Sequence, residues 1–234
     1  MRFINPSALR PEIFFSSVPL WNWDINGYQV VMIIWNIFLA ILSIFVSYYF
    51  LELLQKRKIE TWKKVAVGII WLLLVPNTAY VMTDARHIIG YCPVEEYGKV
   101  CTENAWMTIF FFAYALVGWV TMVMSVLPLR QWIQKKKGKR ASLDFILALM
   151  PLMALGVLLG LINRWNSWEV LSNPILIFKT LLAYVSDLTY AKNWFIVSIL
   201  LYILYFGGEI LFGKFKLSFR VRPQQRRTRN LNVK

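Results

Sequence analysis

Five long apolar runs divide the chain, and the polar residues between them decide how each run is read. The first, from about Tyr28 to Phe50, exceeds the roughly 20 residues that a helix needs to cross a bilayer. The second covers about Val65 to Met82 and carries Pro76 and Asn77 in its last third. The third covers about Ala105 to Leu129, the fourth about Leu143 to Ile162 with a kink predicted at Pro151, and the last about Trp194 to Phe212. A sixth segment, Pro174 to about Tyr190, has a different pattern. Its apolar residues Ile175, Phe178, Leu181, Leu182, Val185 and Leu188 recur at helical spacing, while Lys179, Thr180, Ser186 and Asp187 fall on the other side. That predicts an amphipathic helix lying at the membrane surface. The expected fold class is therefore all-α: a polytopic transmembrane helix bundle of five spans plus one interfacial amphipathic helix. Ser142, at the end of the basic link QWIQKKKGKR, is the expected N-cap of the fourth span, with Asp144 in its first turn.

Composition agrees with a membrane environment. Charged residues are 16% of the chain, against about 25% in a soluble domain, and the mean hydropathy is +0.52. Many of the 11 Trp and 11 Tyr sit where apolar runs end, as amphipathic rings do at the headgroup level. A net charge of +14 raises nucleic acid as a partner. The basic residues stand in blocks beside apolar runs, however, so membrane topology accounts for them and no nucleic-acid partner is expected. The links after the first and third spans and the tail hold 5, 6 and 8 Lys/Arg, which is 19 of the 26. The positive-inside rule then predicts the N-terminus outside and the C-terminus inside. Three parts result: an interfacial lead over residues 1–27 with Pro6, Pro11 and Pro19, the bundle over 28–213, and a basic cytoplasmic tail over 214–234. The tail is expected to attract anionic lipid headgroups. The opening MRFINPSALRPE lacks the apolar core and cleavage site of a signal peptide.

Two polar clusters interrupt this pattern: PNTAYVMTDARH, Pro76 to His87, and RWNSWEVLSNP, Arg164 to Pro174. Polar groups at membrane depth are costly unless paired, so a common explanation is one outward-facing site between the outer ends of spans two and four. If the second span stays helical, Asn77, Tyr80, Asp84 and His87 share a face, and Asp84 can accept from Tyr80 and orient His87. Gly156 and Gly160 have the spacing that lets another helix approach just before Arg164. Arg164 can make forked contacts to a carboxylate or phosphate, and Asn166, Ser167 and Glu169 add donors and acceptors. Trp165 and Trp168 fit interfacial anchors. An Asp84–Arg164 ion pair, or a ligand shared by the two, is expected. Ordinary solvated helix ends remain the alternative for both clusters.

The expected ligand-binding set is Asn77, Tyr80, Asp84, Arg164, Asn166, Ser167, Trp168 and Glu169, with Asp84, His87 and Glu169 as acid/base candidates. Ser167, His87 and Asp84 are also the residue types of a nucleophile, base and orienter. A single His excludes a multi-histidine metal site within one chain, and neither a phosphate loop nor a Gly-x-Ser-x-Gly elbow is present. No metal or cofactor is expected. Cys92 and Cys101 fall in a loop on the expected outer side, where disulfides persist, and form a disulfide candidate. Glu209, near the inner end of the last span, is expected to pair with Lys214 or snorkel.

The two clusters resemble the Pro-Asn-x-x-Tyr-x-x-x-Asp and Arg-x-Asn-Ser-Trp-Asp/Glu signatures of an uncharacterised bacterial membrane-protein family, domain of unknown function 1361. The resemblance covers about Tyr28 to Phe212 and marks Pro76, Asn77, Tyr80, Asp84, Arg164, Asn166, Ser167, Trp168, Glu169, Asn173 and Pro174. The pattern it resembles has an Arg after the glycine at 160, where this chain has Leu161. The resemblance implies a multi-pass protein of the bacterial cytoplasmic membrane and names no activity. The leading expectation is a pocket that binds, and in an enzymatic version modifies, an anionic envelope or lipid headgroup. The second is a non-enzymatic accessory or assembly subunit with a membrane-protein partner, and the third a transporter component.

Overall fold

In the computed structural model, residues 22–25, 28–56, 58–88, 105–165 and 169–213 are described. A two-residue strand β1 (Asp24–Ile25) pairs antiparallel with β2 (Tyr28–Gln29), Asp24 opposite Gln29 and Ile25 opposite Tyr28. This pairing crosses the boundary expected between lead and bundle at residue 27. The helices follow in order: α1 (Val30–Gln55), α2 (Thr61–Thr83) running into a 3-10 turn (Asp84–Ile88), α3 (Ala105–Lys137), α4 (Lys139–Asn163), a four-residue α5 (Glu169–Ser172), α6 (Pro174–Ser186) and α7 (Leu188–Phe212). Five of them are long and apolar enough to cross a membrane: α1, α2 with its 3-10 turn, α3, α4 and α7.

All five are longer than the apolar runs that announce them, and α2, α3 and α4 continue into the flanking basic segments because lysine and arginine are good helix formers. α3 takes in Lys135, Lys136 and Lys137, so the third link shrinks to Gly138, whose φ of 94° suits the turn between the helices. Gly138, not Ser142, is the N-cap of α4. The buried Ser142 hydroxyl instead accepts from Arg130 Nε at 3.3 Å.

Along α1, Ile34, Phe38, Ile41 and Phe45 form an exposed apolar stripe, while Ala40, Ser43 and Ser47 are buried. Small residues inside and large apolar ones outside is the arrangement expected where lipid is the solvent and close backbone approach drives association. Ser47 Oγ donates to Ser125 O at 2.5 Å, Ser125 Oγ to Ser43 O at 3.1 Å, and Trp71 Nε1 to Ser125 Oγ at 3.0 Å, joining α1, α2 and α3. The main core is built from Trp71, Val75, Met122, Met150, Met153 and Tyr205 with their neighbours. α4 runs on as helix through Pro151, which has no N–H for the carbonyl of Leu147 one turn earlier. Tyr202 of α7 donates to that carbonyl at 2.6 Å, and Trp194 donates to Pro151 O at 2.9 Å.

Glu209 pairs with Arg130 of α3; Lys214, its expected partner, lies outside the described residues. Arg130 also lies over the rings of Tyr205 and Phe206, at 5.7 and 5.3 Å. α6 ends at Ser186, four residues before the expected limit, where Asp187 caps α7 by accepting from Thr189 N and Tyr190 N. At 13 residues α6 is about 20 Å long, too short to span. It buries Ile177, Thr180 and Tyr184 and exposes Ile175, Phe178, Leu182 and Val185. Tyr184 donates to Asn163 Oδ1 at 3.0 Å, tying α6 to the end of α4.

Candidate functional site

The polar cluster of α2 lies at the end of the bundle away from the basic links. Asn77 and Thr78 are absorbed by their own helix, donating to Leu74 O at 3.1 Å and Val75 O at 2.7 Å. At Asp84 the α-helix gives way to the 3-10 turn. Asp84 is fully buried, and its charge acts on Tyr80.

Three neutral donors from three elements converge on one oxygen of that carboxylate. Tyr28 of β2 donates to Asp84 Oδ2 at 2.8 Å, Asn36 of α1 at 3.2 Å and Tyr114 of α3 at 3.3 Å. Asn36 also donates to the Tyr28 hydroxyl at 2.6 Å. Burial, and next the neighbouring Asp84 charge, hold the Tyr28 phenol well above its ordinary value, so it remains a donor. The other oxygen, Oδ1, has Arg86 Nη2 at 4.0 Å and no hydrogen bond among the described residues. His87 stacks flat on Tyr28, ring centroids 4.2 Å apart and planes within 5°. Apolar walls complete the enclosure: Ile33, Ala40, Val81, Met107 and Phe111 form a second core around Tyr28 and Tyr114.

The second cluster reaches the first through Tyr80. A Cβ on Gly156 would lie 2.7 Å from Pro76, and one on Gly160 3.1 Å from the Tyr80 ring, so the two glycines of α4 are what let α2 seat against it. α4 then ends on Arg164 in the left-handed conformation, φ 59°, with its N–H and that of Trp165 both turned back to Leu159 O. The chain reverses there, Trp165 is buried and Arg164 is exposed. The charges of Arg86 and Arg164 both act on Tyr80 and on His87. No ion pair joins Asp84 to Arg164; the cation beside Asp84 is Arg86. A second arginine therefore reaches the cluster from Arg86 even though position 161 is leucine.

Glu169 is fully buried at the start of α5. Asn166, Ser167 and Trp168 lie outside the described residues, as do Cys92, Cys101 and the tail 214–234. Tyr28, Asn36 and Tyr114 are the site residues that sequence reasoning missed. Asn36 had a visible signal, an amide inside an otherwise apolar run; Tyr114 had none.

The family described as protein of unknown function (DUF1361) matches residues 35–206. The chain belongs to this family. No curated protein and no solved structure matches it. Within the DUF1361 segment fall Asn36, Asp84, Arg86, Tyr114 and Arg164, while Tyr28 and the strand pair precede it.

Proposed function

We propose that this DUF1361 protein is a multi-pass protein of the bacterial cytoplasmic membrane that binds an anionic headgroup at the end of the bundle away from the basic links, facing outward. One observation carries the reading: arginines from two different elements, Arg86 after α2 and Arg164 at the end of α4, act on the same Tyr80 side chain, next to a buried carboxylate. Two guanidinium charges acting on one side chain suit a phosphate or carboxylate, which each can hold in a forked hydrogen bond. Asn166, Ser167, Trp168 and Glu169, two to five residues after Arg164 in sequence, are proposed to complete the binding set. In an enzymatic version Asp84 takes a proton at Oδ1, the oxygen left without a hydrogen bond, and His87 beside it is the second acid/base group.

The test uses the detergent-purified chain with glycerol phosphate as a soluble headgroup. A ligand at 100 times its dissociation constant stabilises the folded state by about 2.7 kcal/mol, so the thermal midpoint should rise. Arg164→Ala and Arg86→Ala should each abolish the rise. No shift in the unaltered protein at millimolar glycerol phosphate sinks the reading.

A second reading, an accessory or assembly subunit, is favoured by the donors on Asp84. They come from β2, α1 and α3, as for a carboxylate whose work is to clip elements together. On that reading Asp84→Asn leaves activity in cells unchanged, and a membrane-protein partner co-purifies in fixed ratio.

A further inference from the structure

Asp84 Oδ1 and His87 Nε2 are both sealed from solvent, so a headgroup can touch neither until some part of the enclosure moves. The three donors to Asp84 Oδ2 differ in how easily they move. Asn36 and Tyr114 stand on α1 and α3, and shifting either means parting spanning helices that pack through Ile33, Ala40, Val81, Met107 and Phe111. Tyr28 stands on the two-residue β2, which spans nothing.

The β1–β2 pair holds to the bundle by little. Asn22, Trp23 and Asp24 are exposed and Ile25 is half-buried, so Tyr28 is the one fully inserted side chain among the described residues of this segment. It is at once the anchor of the pair and the cover of the site. Its hydroxyl donates to Asp84 Oδ2 at 2.8 Å and its ring lies flat on His87 at 4.2 Å. Behind it, the pair closes on the start of α1 through one bond, Val30 N–H to Trp23 O at 2.9 Å. The carboxylate also has a replacement donor in place. Asn36 divides its amide between the Tyr28 hydroxyl at 2.6 Å and Asp84 Oδ2 at 3.2 Å, so when Tyr28 withdraws that amide turns wholly to Asp84, and Tyr114 stays. Withdrawal then costs a hydrogen bond and a ring contact, and orphans no carboxylate.

We propose that the β1–β2 pair is a lid over Asp84 and His87, hinged at the start of α1 and latched by Tyr28, and that a ligand reaches these two residues only when it lifts. That the ligand is an anionic headgroup rests on the reading given above; the lid itself does not.

The experiment is carboxylate labelling of the full chain in detergent with a water-soluble carbodiimide and glycine methyl ester, read by peptide mass spectrometry. Exposed Asp187 reports the activity of the reagent, and fully buried Glu169 reports general loosening. Asp84 should label slowly in the unaltered protein. Tyr28→Phe keeps the ring, loses the latch and should speed Asp84 labelling roughly tenfold, with Glu169 unchanged. Equal Asp84 rates in the two proteins, or a matching rise at Glu169, would overturn the lid. Hydrogen exchange of the unaltered protein is a second measurement that needs no variant: the Val30 amide should exchange well before those of Asn36 to Phe38 in α1, and exchange of all of them together would also overturn it. Glycerol phosphate separates the two readings. Lid behaviour as stated without a thermal shift sinks the headgroup and supports the lid, whereas a thermal shift with Asp84 labelling indifferent to Tyr28→Phe sinks the lid alone.

Discussion

The carboxylates of Glu209 at the basic end and Asp84 at the other end are neutralised in different ways. Glu209 at the basic end meets a full opposite charge, Arg130, which is also held by Ser142 and covered by two aromatic rings. Asp84 at the other end meets three neutral donors on one oxygen and a more distant guanidinium on the other. The first arrangement is closed: every strong partner is internal, and it locks α3, α4 and α7 together. The second is only half closed, because Oδ1 lacks a hydrogen bond among the described residues. Lattices of neutral donors cost less to desolvate than an ion pair and leave a carboxylate's second oxygen available. The comparison separates a carboxylate met by a full opposite charge from one met by neutral donors on one oxygen.

The largest effect is expected at the lock. Arg130→Ala strands Glu209 and should cost about 3–5 kcal/mol, read as loss of thermal stability in detergent. Adding Glu209→Gln should recover part of it; if the double substitution is as harmful as the sum of the singles, the pair is not the lock. Asp84→Ala removes the shared acceptor of Tyr28, Asn36 and Tyr114 and should cost about 3 kcal/mol. Asp84→Asn keeps an oxygen for those donors, so its stability loss should be nearer 1 kcal/mol. If Asp84→Asn folds well yet removes function in cells, the half-closed reading is sharpened; unchanged function makes both ends structural. Gly156→Ala forces Pro76 away and should cost about 1–3 kcal/mol, with weaker glycerol phosphate binding because Arg164 shifts with α4. The smallest change is Tyr202→Phe, which leaves Leu147 O without its donor. About 1 kcal/mol should be lost in thermal unfolding, with binding unaltered.

Much of the fold was legible because spanning helices are written as unbroken apolar runs, and the seam between α2 and α4 was marked by Gly156 and Gly160. Helix ends were not legible, since a lysine at the membrane edge is as helical as a leucine and hydropathy does not register it. That is how Arg130, counted with the basic link, proved to belong to the interior. In the site, Tyr80, Asp84 and Arg164 stood out as polar residues at the ends of apolar runs. Their partners did not, because Tyr28 and Tyr114 are types that any membrane edge or span contains, and only tertiary packing selects them.

The source of those donors also fixes when the site can form as the chain is made. Tyr28, Asn36, Asp84 and Tyr114 all lie in or before α3, so the hydrogen bonds around Asp84 need nothing that is synthesised after Lys137. Until the third helix enters the membrane, the carboxylate and the Asn36 amide would wait in hydrocarbon with partners missing, a costly state. Once it enters, a three-helix intermediate already has all three donors to Asp84 Oδ2 in place. It can then wait at the insertion machinery while α4 brings Arg164 into place.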